Sequence, residues 1–331
     1  MQATTVSAIN PRTCPTGSIT RLQVELIETG MGTPLRIPAL VARGRKNGPI
    51  FGLTAAIHGN ELNGIPVIHR LLRSLDLGRL RGSVVGVPVL NVPSLLIQQR
   101  RFNDNRDLNH IFPGKPNGHA SQIYVHRILE RIIKPLDVLV DLHTASFGRA
   151  NSLYIRADMT DPTTARMAYL QRPQIIVHNP PADGTLRGAA QDLGIPSITL
   201  EIGDPQRFQR EYIRQTLAGL RAMLADQGMI PKRPRALGVM PVLCSSSSWQ
   251  YTDRGGLLEV LPRVTQKLEK GDIIARLTDI YGDEICEYSA VEGGVVIGHA
   301  VNPIAQTGAR ILHLGKIAPP DDPHFQGRYT P

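Results

Sequence analysis

Aromatic residues are scarce in this chain, with six phenylalanines, eight tyrosines and one tryptophan among 331 residues. That leaves few platforms on which bases could stack. No helix-turn-helix, zinc-finger or RNA-recognition pattern compensates, so nucleic acid is not expected as a partner. Cysteine is scarcer still: Cys14, Cys244 and Cys286 lie far apart and form no metal-type cluster. They read as free thiols in a reducing compartment. No uninterrupted apolar run approaches the length of a bilayer span, and Met1-Gln2-Ala3-Thr4-Thr5 lacks the basic-then-apolar pattern of a secretory signal. A cytoplasmic protein without a membrane partner is the expectation.

What is present is ordinary for a soluble globular chain, 41% hydrophobic and 20% charged, and long enough for one large core or two domains. Basic residues outnumber acidic ones 37 to 28, a net charge of +9. They are dispersed rather than clustered, which suits an anionic small substrate.

Residues 18 to 43 alternate in the manner of paired strands, with Gly30-Met31-Gly32 as the turn between them. The apolar run Ile50 to Ile57, bounded by Gly48-Pro49, then reads as a short buried strand. After it come His58-Gly59-Asn60-Glu61, and from Ile65 a segment of helical spacing with Pro66 in the tolerated first turn. His58 and Glu61 therefore sit on a strand-to-helix loop, where an imidazole and a carboxylate three residues apart can converge on one ion such as zinc. Alone, His-x-x-Glu more often describes a solvated helix face than a metal site, so the reading depends on a third ligand, a base and substrate-binding groups elsewhere.

Gly82 to Leu90 is another strand, and strand, helix, strand at this spacing indicates an α/β sheet, whose chemistry lies beyond its strand ends. The polar stretch Gln98 to Gly114 follows, with three arginines and three asparagines fit to grip a carboxylate or a carbonyl oxygen. A solvated surface loop is the plainer account of it. Ser121 to Lys134 has helical spacing. Leu136 to Thr144 is a buried strand that delivers His143 at its carboxyl end, with Asp141 two residues earlier on the same face. His143 is the best third ligand, and Asp141 a carboxylate able to orient a ligand imidazole. Thr185 to Ala190 opens a helix, Ile195 to Leu200 is a strand delivering Glu201, and the residues up to about 228 are helical. A carboxylate at a strand end beside a metal is what a hydrolase needs to take a proton from water.

Composition shifts at Pro231-Lys232-Arg233-Pro234-Arg235, a candidate linker. Downstream, short strands separated by glycine breaks indicate a small all-β domain, a barrel or sandwich, and Ala318 to Pro331 reads as an extended tail. The expected division is a 1–230 α/β hydrolase domain and a 231–331 β domain.

Taken together, the His58-Gly59-Asn60-Glu61 unit, Asp107-Leu108-Asn109 with Phe112-Pro113-Gly114, Asp141-Leu142-His143 and Glu201-Ile202-Gly203 resemble the succinylglutamate desuccinylase/aspartoacylase family, relatives of the zinc carboxypeptidases. The resemblance implies a phosphorylase/hydrolase-like three-layer α/β/α core with a mixed sheet. It implies one zinc ion per chain held by His58, Glu61 and His143, Glu201 as general base and acid, and hydrolysis of an N-acyl amide. Asn109 contacts substrate by the same resemblance, Arg187 is a candidate for a substrate carboxylate, and Arg101 or Arg106 for the oxyanion. One departure stands out: the family's usual motif has arginine after the asparagine, where this chain has His110. A histidine cannot form the bidentate guanidinium fork, so recognition of an ordinary α-carboxylate is in question here.

The leading reading is a zinc-dependent deacylase of a small N-acylated amino acid or amine. A carboxypeptidase-like enzyme acting on a peptide-like amide is the nearest rival, and a metal-free binding protein on the same fold is the reading from another class. Homo-oligomerisation is left open.

Overall fold

The computed structural model describes residues 2–181, 184–232, 239–323 and 325. At its centre the strand Lys46–Ala55 lies between Arg81–Val87 and Val138–His143, and Ser197–Ile202 follows, all four parallel. The registers Ala55↔Leu142 and His143↔Glu201 bring three strand ends level with one another. That is why residues 58, 143 and 201, remote in sequence, meet at one edge. Beyond Ser197–Ile202 the sheet continues with Leu153–Ala157, antiparallel, and Ile175–His178, parallel to Leu153–Ala157.

Strand residues alternate between two apolar faces, as the pleat requires. Phe51, Leu53, Val140 and Leu142 pack with the helices Gly64–Arg73, Pro162–Gln171 and Arg210–Asp226. Ile50, Val85, Val87 and Leu139 pack on the other side with Ala120–Ile128 and Leu186–Asp192. The core is therefore the three-layer α/β/α arrangement around a mixed sheet.

On the far side, Ser18–Glu28 and Pro34–Arg43 form the antiparallel pair expected from their alternation, and Pro34–Arg43 joins Arg81–Val87. No helix among the described residues is long and apolar enough to cross a membrane.

The C-terminal strands are placed less simply than the sequence suggests. Val242–Tyr251 pairs parallel with Ile175–His178, then Arg310–Ile317, Gly294–Ala300 and Lys267–Leu268 follow, so these strands extend the central sheet. Gly256–Val260, Ile273–Thr278, Glu284–Ser289 and Ile304–Ala305 make a separate four-stranded antiparallel sheet. A small apolar cluster of Tyr154, Ile175, Val177, Cys244, Val295 and Ile297 packs the C-terminal strands of the long sheet against Leu153–Ala157 and Ile175–His178. Arg233, Pro234 and Arg235 of the expected linker lie outside the described residues, as do 324 and 326–331 of the expected tail.

Candidate metal and active site

His58 and Glu61 emerge from the end of Lys46–Ala55 on the loop before Gly64–Arg73, and both are buried. Gly59 is needed there because the loop runs against Ser94, whose backbone a Cβ at residue 59 would meet at 2.1 Å. His143, at the end of its strand, completes the group: one ligating atom from each of His58, Glu61 and His143 lies within 4.8 Å of the others.

The hydrogen bonds around these three side chains define which atoms face inward. His58 Nε2 lies 3.0 Å from Asp107 Oδ1, and His143 Nε2 lies 2.7 Å from Asp141 Oδ2. Asp141 is itself fixed by Thr54, whose hydroxyl donates to Oδ1 at 2.7 Å. With carboxylates accepting from both Nε2–H groups, each imidazole turns its Nδ1 lone pair inward. Those Nδ1 atoms sit 2.9 and 3.0 Å from the two oxygens of Glu61. Carboxylate-backed imidazoles and a carboxylate converging with their lone pairs on one point form a donor set suited to a divalent cation such as zinc.

Electrostatics agree with that reading. Burial pushes the Glu61 carboxyl up, but His58 and His143 outweigh it and hold it well below its ordinary range. Burial lowers the His143 pKa, yet Asp141 and Glu61 dominate and raise it well above the usual imidazole value. Two carboxylates around one imidazole thus call for positive charge at this point.

Glu201 lines the same cavity, on the strand next to His143 and in register with it. Its Oε2 is 3.4 Å from Asn151 Nδ2 and its Oε1 is 3.9 Å from Arg156 Nε. Burial raises its pKa, and Glu61 adds to the rise, against the pull of His143, Arg156 and Arg100. A carboxyl tuned upward in a cleft is suited to taking and returning a proton.

The cavity encloses about 350 Å³, the size of a small-molecule site, and His58, Glu61, His143 and Glu201 all line it. Asn109, His110 and Arg187 line it too. Asn109 Oδ1 accepts from the backbone of Leu186 at 2.8 Å, tying the loop to the helix that carries Arg187. Arg187 is buried and donates to Asn179 O and Oδ1 at 2.8 and 2.7 Å. Burial and Arg156 pull its guanidinium down to about 10, still a cation at neutral pH. His110 is largely exposed, with Nε2 3.6 Å from Asp107 Oδ2.

Arg101 and Arg106 fall elsewhere. Neither lines the cavity: Arg101 Nη1 donates to Asn105 O at 3.2 Å, and Arg106, half exposed, faces Asp104 at 3.9 Å. Arg100 takes the inward place. It donates to Asp107 Oδ2 at 2.8 Å, Glu61 Oε1 at 3.1 Å and Ser146 Oγ at 2.6 Å. Direction along an irregular loop has no period, so the sequence does not separate residue 100 from residue 101. Asn151, Tyr154 and Arg156, missed in the sequence reading, lie on strands whose alternation of Leu153, Ile155 and Ala157 with Tyr154 and Arg156 was there to be read. Trp249 and Arg310 line the cavity from the C-terminal strands, and only the sheet pairing reveals that.

Comparison with known proteins fits this architecture. This chain belongs to the family described as the succinylglutamate desuccinylase/aspartoacylase catalytic domain, whose model matches residues 47–226. The N-alpha-acetyl-L-2,4-diaminobutyric acid deacetylase of Halomonas elongata is 24% identical over 315 residues, covering 90% of each chain. A succinylglutamate desuccinylase of Pseudomonas paraeruginosa is 30% identical over 178 residues, about half of either chain (50% of this one and 53% of the other). Among solved structures, the product-bound ectoine utilization protein EutE (DoeB) of Ruegeria pomeroyi superimposes with a TM-score of 0.82 at 21% identity, over 92% of this chain and 98% of that one. At that identity the likeness speaks for the fold.

Proposed function

We propose that this protein hydrolyses the amide bond of a small N-acylated amino acid or amine, using a divalent cation, zinc by family resemblance, held by His58, Glu61 and His143. The observation that carries the reading is the convergence of three buried donor atoms within 4.8 Å, in one cavity with Glu201. The activities named for the two relatives, a deacetylase and a desuccinylase of amino-acid derivatives, point the same way.

When bound, the cation supplies Lewis-acid polarisation of the scissile carbonyl and acidifies the attacking water. The chain's own groups do the rest. Glu201 accepts the proton of the attacking water and returns it to the leaving nitrogen. Arg100, held by Asp107 and Glu61, is the cation that balances charge on the carbonyl oxygen, in place of Arg101 or Arg106. Asn109, His110 and Arg187 form the cavity wall on which the amino-acid portion is bound. A cavity of about 350 Å³ is of a size to hold a small substrate.

The test is release of free amine from a panel of N-acyl amino acids, their carboxamides and decarboxylated analogues by zinc-loaded protein, with Glu201→Gln as the blank. The expected loss in the variant is about 10²- to 10⁴-fold, the usual contribution of a positioned acid–base group. No release above the blank on any compound would sink the proposal.

A further inference from the structure

Two features outside the metal cavity combine apolar surface with charge, and their charges are opposite. The first is a groove of about 480 Å³ between the helix Arg210–Asp226 and the turn that follows Gly64–Arg73. Ala218, Ala222 and Ala225 present small side chains from one face of the helix, and Leu75 and Ile230 add apolar surface. The charged residues of the groove are Arg79, Arg221 and Asp76. Asp76 faces Arg79 at 3.7 Å with both side chains largely exposed, and among the described residues no carboxylate pairs with Arg221. The groove is apolar, with an uncommitted cation.

The second feature is the tip of the hairpin that joins Ile273–Thr278 to Glu284–Ser289 in the separate four-stranded sheet. Ile280 is 78% exposed there and Tyr281 88%, so nothing in their own chain covers them. Asp279 and Asp283 flank the pair, with Glu284 next in the chain. The tip is held in shape by its own backbone. Asp279 Oδ1 accepts from the N–H of Tyr281 at 2.8 Å and of Asp283 at 3.0 Å, and Asp279 N donates to Asp283 O at 2.9 Å. A preformed turn loses little freedom on docking, and tyrosine is among the residues that anchor interfaces.

We propose that the hairpin tip of one copy docks in the groove of a second copy, with Ile280 and Tyr281 on the apolar surface and Asp283 meeting Arg221. Charge singles out this occupant: an apolar tip flanked by carboxylates suits an apolar groove with a free guanidinium, and one chain carries both. A single seated tip is small beside the roughly 800 Å² that each partner gives to a standard interface, so a stable assembly needs the contact twice. Two copies related by a twofold axis supply it, each giving its tip and its groove. Neither feature shares a residue with the metal cavity, so the inference is independent of the hydrolase reading.

Sedimentation equilibrium of the full chain over a range of concentrations tests this, with every variant checked for fold by its thermal midpoint. The wild type is expected to be a dimer whose mean mass falls on dilution. Tyr281→Ser, Asp283→Arg and Arg221→Glu should each weaken dimerisation about 10-fold or more, a 10-fold loss being about 1.4 kcal/mol. Asp283 holds the turn through its backbone, so its side chain can be reversed in charge without undoing the hairpin. Combining Arg221→Glu with Asp283→Arg restores an opposite pair across the contact and should recover most of the lost affinity. Two merely destabilising substitutions would not.

A chain that stays monomeric up to its solubility limit overturns the proposal, as does a dimer that none of the three single substitutions weakens. So does a double variant no tighter than either of its parents. A monomer that binds octanoate in calorimetry, with binding lost in Arg221→Glu, would make the groove a site for an apolar anion and equally defeat the inference. None of these readouts involves turnover, so failure here leaves the hydrolase reading intact.

Discussion

Gly298 lies directly opposite Asn151 across two paired strands, and a Cβ at residue 298 would come within 2.2 Å of Asn151 Oδ1 and 2.6 Å of the Ala150 carbonyl. Asn151 in turn places its amide 3.4 Å from Glu201. The C-terminal strand thus sets the position of a residue beside the candidate base. Gly298→Ala is expected to destabilise the fold by about 1–3 kcal/mol, as overpacking does. It should also lower kcat on the best N-acyl substrate while leaving the bound-metal content as in the wild type. Unchanged kcat in a folded variant would show that the Asn151 contact has no part in positioning Glu201.

Asp141 accepts from His143 Nε2 and Asp107 from His58 Nε2. If the three inward donors hold zinc, Asp141→Asn should weaken the metal by about 10- to 100-fold, the usual effect of losing a carboxylate behind a ligand imidazole. Competition with a chelator of known affinity measures it, and an unchanged constant would remove these side chains from the metal centre.

Arg100 and Arg101 are adjacent, and only Arg100 lines the cavity. Arg100→Ala should reduce kcat about 10²- to 10³-fold, in keeping with loss of one oxyanion donor. Arg101→Ala, whose guanidinium bonds a surface carbonyl, should stay near wild type. Steady-state rates on one substrate decide between them; a reversed order would return the role to residue 101.

His313 is kept neutral: burial, and then Arg156, Arg149 and Arg310, hold its pKa well below that of an exposed imidazole. Its unfolded-state value is about 6.5. Below that pH the unfolded chain takes up a proton that the folded chain refuses, so stability is present above about 6.5 and is lost as pH falls towards the folded pKa. The loss approaches about 1.4 kcal/mol per pH unit for one proton. His313→Phe keeps an aromatic plane against Trp249 and should show a shallower decline in denaturant midpoint between pH 7 and 5. Parallel declines would mean that His313 takes up its proton in the folded state.

The legible part of the site was the part coded by strand ends. Residues 58, 143 and 201 each follow or close an apolar run, so position in the local pattern already told which end of the sheet they occupy. Arg100 was not legible because its direction is fixed by Glu61 and Ser146, 39 and 46 residues away, and not by neighbours in sequence. Arg149, Trp249 and Arg310 depend on the registers of three C-terminal strands with the core, which no local period encodes. The C-terminal strands were legible as strands; that they extend the central sheet was not, because alternation names a strand's faces and not its neighbour.

The parallel pairing of Val242–Tyr251 with Ile175–His178 also bears on how the chain comes into being. Ile175, Ile176 and Val177 are wholly buried in the finished protein, and the strand that covers one side of them begins more than 60 residues later. At translation rates of about 5–20 residues per second, the nascent α/β portion spends several seconds with an apolar, open strand edge. Chaperone demand should therefore peak just before residues 242–251 leave the ribosome. A chain arrested near residue 230 should self-associate, whereas the completed chain closes that edge with its own backbone.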